Sequence, residues 1–135
     1  MSGAGAALLA VAAVVGLGGC GAPGPRADDA VSAARAFESA LGTLRFGQAC
    51  ALLAPQTRQE LAAGEECARA LAKERLPAAA GEASGGTAQV YGRQAMVRVG
   101  GDTLFLSQFD RGWKVTAAGC TARPELPYDC RVKGG

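Results

Sequence analysis

The chain has 135 residues, a formal net charge of +2 and no histidine. This length predicts a single domain, and the basic residues are spread along it rather than gathered into a nucleic-acid-binding patch. Without histidine, Ser32 and Ser39 have no partner for Ser–His chemistry, and a zinc site is disfavoured. The composition therefore indicates a small domain with no cofactor, no metal and no nucleic-acid partner.

The N-terminal segment is an uncharged apolar run, residues 6–19, which ends at Cys20. This run is shorter than the about 20 residues of a membrane-spanning helix, but it matches the apolar region of an export signal. Its last four residues, Leu17-Gly18-Gly19-Cys20, resemble the bacterial lipobox. The resemblance implies a signal peptide over residues 1–19, lipidation (palmitate) of Cys20, and a lipid-anchored location on the extracytoplasmic face of the cell membrane.

Two other interpretations of this run stay open. No Lys or Arg precedes Arg26, whereas export signals normally begin with positive charge. The run could also be a secretory signal without lipidation, or a buried apolar helix of the fold itself.

Four cysteines follow Cys20, and an even number favours disulfides in an exported chain. The predicted pairs are Cys50–Cys67 and Cys120–Cys130, because each pair brackets one structural unit. Each bond would contribute about 2–4 kcal/mol by restricting the unfolded chain. No Cys-x-x-Cys motif is present, so a thioredoxin-like redox role has little support.

Residues 28–77 carry a helical pattern, preceded by a flexible tether over residues 20–27. Asp28 or Asp29 is predicted to cap the first helix. Apolar residues at spacings of three and four form one face of it, and the opposite face carries Arg35, Glu38 and Ser39. Shorter helices are predicted over residues 48–54, 57–63 and 67–76, the second opened by a capping box from residue 57 to residue 60.

Beyond a flexible linker over residues 78–86, the apolar period changes to two. Strands are predicted over residues 87–91, 95–99, 104–109 and 113–117, joined by tight turns. The Pro-rich tail up to Cys130 is predicted to fold back on Cys120. Residues 28–133 are thus predicted as one α+β domain, with N-terminal helices packed on a four-stranded antiparallel meander.

The segments AARAFESAL, CALLAP, TRQEL, GDTLFLSQFDRGWKVTAAGC and PYDC together resemble the small NTF2-like (cystatin-like cone) lipoproteins of high-GC Gram-positive bacteria. The resemblance implies a curved sheet and a first helix that enclose a pocket. Aromatic residues would line that pocket or fill the core in its place, with Phe37 as the wall opposite the sheet. The sheet candidates are Tyr91, Phe105, Phe109 and Trp113.

The predicted function is a membrane-anchored, non-enzymatic module that binds a small apolar ligand or an envelope protein. The alternatives are a structural domain with a filled core and an isomerase-type enzyme. Such isomerases use an Asp base with a Tyr and an Asp in an oxyanion hole, and Asp102 and Asp110 instead sit in predicted turns.

Two further patterns have ordinary explanations. The pair Glu65-Glu66 fits an acidic first helical turn, and four arginines (Arg93, Arg98, Arg111, Arg123) fit a mixed solvated face.

Overall fold

The computed structural model describes residues 24–77 and 85–135. Within them four helices precede five strands, which confirms the α+β class. The predicted signal peptide, Cys20 and most of the linker over residues 78–86 lie outside the described residues. The elements are α1 (Pro25–Gly42), α2 (Phe46–Ala51), α3 (Pro55–Ala62), α4 (Cys67–Lys73), β1 (Thr87–Tyr91), β2 (Gln94–Val99), β3 (Asp102–Phe109), β4 (Gly112–Arg123) and β5 (Leu126–Lys133).

The strands form one antiparallel sheet in the order β1-β2-β3-β4-β5. The prediction of four strands is wrong, because β4 continues to Arg123 and the tail returns as β5. Pro127 is tolerated there because β5 is an edge strand, where a residue without an N–H need not interrupt the ladder. Cys120 and Cys130 lie directly opposite each other in this added pair of strands.

Helix α1 begins four or five residues before the start that a cap at Asp28 or Asp29 implies. Pro25 occupies its first turn, and Gly24 is the cap residue with no side-chain capping bond. Proline suits this position because its φ is already helical and its missing N–H would have no helical partner. The predicted cap at Asp28 or Asp29 is therefore wrong, and so is the tether over residues 25–27.

Helix α1 is buried over a wider stripe than its apolar spacing predicts. Ala30, Ala34 and Phe37 are fully buried, and Glu38 is also only 2% exposed. The predicted solvent-facing position of Glu38 is wrong because α1 contacts α2 as well as the sheet, so two surfaces cover it. Arg35 remains exposed, as the pattern predicts.

The short helices also shift from their predicted bounds. Helix α2 begins at Phe46, ahead of the predicted 48–54. The residues after it extend along β4, where the Ala54 N–H donates to the Val115 carbonyl at 2.8 Å and the Val115 N–H to the Leu52 carbonyl at 2.9 Å. Pro55 then opens α3.

The predicted capping box at the start of α3 is wrong. Thr57 lies inside the helix, and the cap residue makes no side-chain capping bond. The Thr57 hydroxyl instead donates to the Thr116 carbonyl at 3.0 Å, and its side chain is buried. This bond attaches the first turn of α3 to the middle of β4.

Both disulfides of the structure have the predicted partners. Cys50–Cys67 joins α2 to α4, and Cys120–Cys130 joins β4 to β5. Such bonds persist in oxidising compartments, so they indicate an extracytoplasmic location. Over residues 24–77 and 85–135, no helix has the length and apolar character needed to cross a membrane.

Candidate binding cleft

The side of the sheet that faces the helices is filled by side chains. Leu104 and Leu106 of β3 and Val115 of β4 are buried there against α1. Phe37 and Trp113, which were candidates for a pocket wall, are 0% and 6% exposed in the same core. Phe37 and Trp113 therefore follow the alternative in which aromatic residues fill the core and do not line a pocket.

The other three aromatic candidates lie on the opposite face of the sheet. The strand register aligns Gln89 with Met96 and Met96 with Phe105. It likewise aligns Tyr91 with Gln94 and Gln94 with Ser107. Side chains directly opposite each other share one face, so a mixed aromatic and amide surface forms there. This surface, with Phe109, is the floor of a cleft of about 730 Å³.

A bulge in the sheet shapes one side of the cleft. Phe105 pairs with Ala117 whereas Leu106 pairs with Val115, so Thr116 is an extra residue in β4. The Thr116 hydroxyl donates to the Phe105 carbonyl at 3.0 Å. A bulge bends its strand and increases the local twist, and here Thr116 lies in the cleft lining.

The second wall is the start of α3 together with the residues after β5. Pro55, Gln56 and Thr57 line the cleft with Gly134, whose N–H donates to the Thr116 carbonyl at 3.1 Å. A Cβ at Gly134 would lie 2.6 Å from the backbone N and Cα of Thr57. Only glycine lets the chain pass this close to α3, so the wall is closely packed.

The described residues that line the cleft include no Asp, Glu, Lys or Arg. Two rings are open to solvent, Tyr91 at 69% and Phe109 at 38%. The amides of Gln56, Gln89 and Gln94 provide both hydrogen-bond donors and acceptors. The cleft can therefore hold an uncharged molecule by ring contacts and hydrogen bonds.

Phe105 is held in place at the floor of the cleft. Its ring meets Tyr128 of β5 edge to face, with the ring centroids 5.3 Å apart. The Arg98 guanidinium donates to the Tyr128 hydroxyl at 3.4 Å. Aromatic pairs of this geometry contribute about 0.5–1.5 kcal/mol beyond their buried area, which favours a fixed floor.

The remaining polar candidates do not join the cleft. One Asp102 carboxylate oxygen accepts a hydrogen bond from the Thr103 N–H at 2.9 Å, as expected for an Asp at a turn. Asp102 begins β3 and Asp110 follows its last residue, so the two carboxylates lie at opposite ends of this strand. Glu65 pairs with Lys73 at 2.8 Å. In the part of the chain that the structure describes, no cluster of acids and cysteines could hold a metal ion.

Comparison with protein-family models, curated proteins and solved structures finds no match to this chain. The resemblance to NTF2-like lipoproteins therefore stays a prediction, and the cleft is interpreted from its own residues.

Proposed function

We propose that the chain is an exported lipoprotein, anchored by Cys20, whose NTF2-like domain binds an uncharged, partly apolar small molecule in this cleft. The observation that carries the binding role is the chemistry of the cleft lining, which combines exposed rings with amide groups and, among the described residues, no charged side chain. A volume of about 730 Å³ is within the range of pockets that enclose small molecules.

The uncharged lining selects against charged ligands. An ion that enters a cleft without a counter-charge loses water and gains no partner, so its binding is disfavoured. The rings of Tyr91 and Phe109 lose solvent contact when a ligand covers them, which favours an apolar ligand surface. The glutamine amides then fix the orientation of its polar groups.

The anchoring role is supported by the apolar run before Cys20 and by the two disulfides. A single acyl chain binds a bilayer only marginally, whereas two chains anchor a protein stably. A lipoprotein cysteine that carries two or more chains would therefore keep the domain on the membrane.

We expect Cys20→Ala to abolish membrane association. The variant loses the thiol that would carry the lipid, so the protein should move from the membrane pellet to the supernatant after cell fractionation. Cys50→Ala/Cys67→Ala is the matched control, since it removes cysteines that are already bonded to each other. Equal amounts of Cys20→Ala and parent protein in the pellet would contradict the anchor.

We expect the double variant Tyr91→Ala/Phe109→Ala to weaken binding of the uncharged apolar dye Nile red by about tenfold, which is about 1.4 kcal/mol. Both rings would contact the dye in the cleft, and fluorescence titration measures the loss. Leu44→Ala/Leu126→Ala is the matched control, because both leucines are exposed and lie outside the cleft. An equal loss in the control would show that the dye binds elsewhere.

The second candidate is a purely structural domain, favoured by the filled interface between α1 and the sheet. That candidate predicts no saturable binding of uncharged probes by the parent protein. Saturable binding that the cleft variant loses would exclude it.

A further inference from the structure

The meander places two of its turns at one end of the sheet. Because neighbouring strands are antiparallel, the turn between β1 and β2 and the turn between β3 and β4 lie at the same end. We call residues 91–93 and 109–111 the turn end. The turn between β4 and β5, which contains Glu125, lies at the opposite end.

Arg26 holds the start of α1 at the turn end. Its guanidinium donates to the Gly92 carbonyl and, at 3.0 Å, to the Gln108 side-chain oxygen. The same group lies 5.8 Å from the centroid of the Trp113 ring, within the range of a cation–π contact. Three contacts to two hairpins therefore fix where the chain enters the domain.

The start of α1 lies only a few residues along the chain from Cys20, the proposed anchor. Cys20 precedes Gly24 by four residues, and four residues span at most about 14 Å in any conformation. A lipid on Cys20 would therefore keep the start of α1, and the turn end beside it, close to the bilayer surface.

The residues of the turn end match a lipid headgroup region. Tyr91 and Phe109 are exposed rings, and Arg93 and Arg111 are exposed bases. Asp110 is the one acid among these six residues. Tyrosine is enriched at membrane interfaces, and basic residues near an anionic surface are attracted to it.

We propose that the turn end rests on an anionic bilayer surface. This placement depends on the proposed anchor at Cys20, and it adds an orientation that the anchor alone does not specify. Tyr91 and Phe109 also line the cleft, so this orientation brings one margin of the cleft to the headgroups. An uncharged, partly apolar ligand could then pass between bilayer and cleft without crossing bulk water.

The test places a single tryptophan at either end of the sheet in the full lipidated chain. Trp113→Phe/Tyr91→Trp reports on the turn end, and Trp113→Phe/Leu126→Trp is the matched control at the opposite end. Each protein is reconstituted into vesicles of brominated phosphatidylcholine and phosphatidylglycerol, and circular dichroism checks its fold. Bromine quenches tryptophan only at short range. We expect a loss of about half of the fluorescence with tryptophan at position 91 and less than about a tenth at position 126, since only the former lies at the interface.

The outcomes separate the orientation from the anchor. Equal or stronger quenching at position 126, or no quenching at position 91 in protein that sediments with the vesicles, would overturn the orientation while the anchor stands. Failure to sediment with the vesicles would overturn both.

Arg111→Glu adds a charge test. It should reduce quenching at position 91, whereas Arg123→Glu, at the opposite end, should leave it unchanged.

Discussion

Replacement of Phe37 by alanine is expected to lower the free energy of unfolding by about 3–5 kcal/mol. Phe37 is completely buried between α1 and the sheet, so its removal leaves a cavity that the surrounding strands cannot fully close. Ala30 and Ala34, the buried neighbours on the same helix, are too small to fill it. Urea unfolding followed by far-ultraviolet circular dichroism measures the loss.

The matched control for this variant is Leu44→Ala. Leu44 is 74% exposed just after α1, so its truncation should change the free energy of unfolding by less than about 0.5 kcal/mol. A loss below about 1 kcal/mol for Phe37→Ala would contradict the filled interface, and would restore the first helix as one wall of an open pocket.

Removal of the Cys50–Cys67 bond by Cys50→Ala/Cys67→Ala is expected to lower the free energy of unfolding by about 3 kcal/mol. The bond closes a segment of 17 residues and joins two helices of six and seven residues. Helices this short are marginal alone, so they depend on contacts that the bond helps to keep. Thermal or urea unfolding of the double variant measures the cost.

The second disulfide provides the comparison. Cys120 and Cys130 are separated by 10 residues and already lie opposite each other in paired strands. Cys120→Ala/Cys130→Ala should therefore lower the free energy of unfolding less than Cys50→Ala/Cys67→Ala does. The difference in loop length alone gives about 0.5 kcal/mol. A larger loss from this second variant would contradict the expectation that the helices depend more on their cross-link than the hairpin does.

Residue alternation predicts that the sheet has one buried and one more exposed face. It predicts only in part which residues lie on each face. Leu104 and Leu106 are buried and alternate with the half-buried Phe105 and Ser107, so the two sets lie on opposite faces of the sheet. The face of Trp113 depends on its pairing with Gln108 across the hairpin. A sequence pattern within one strand does not supply that register, so the sequence leaves Trp113 as either a core residue or a pocket residue, and the structure buries it in the core.

The fifth strand has a period-two apolar pattern, but Pro124 and Pro127 make the same segment resemble a loop. Over Leu126–Lys133 the apolar residues Leu126, Tyr128, Cys130 and Val132 alternate with Pro127, Asp129, Arg131 and Lys133, although only Val132 is fully buried. Its N–H and C=O groups are satisfied by β4, which continues beyond Gly119 to receive them. Pairing of this kind is a tertiary effect, and tertiary context outweighs intrinsic strand preference.

The burial of Glu38 has a similar origin. A helical wheel assumes one covering surface, and on that assumption Glu38 faces solvent. The structure covers α1 from two directions, by the sheet and by α2. The position of α2 depends on how the connecting loop folds. The apolar spacing within α1 carries no information about that loop.

Both cross-links are local, and this divides the domain into two separately closed pieces. One bond lies wholly within the helices and the other wholly within the sheet. Among the described cysteines, none connects residues 24–77 to residues 85–135. A protease cut in the chain between these two ranges would therefore yield two fragments held together only by non-covalent contacts, which are the packing of α1 and α3 on the sheet and hydrogen bonds such as those between residues 52 and 54 and Val115. Such fragments would separate in denaturant without a reducing agent, and each would keep its own bond for reassembly.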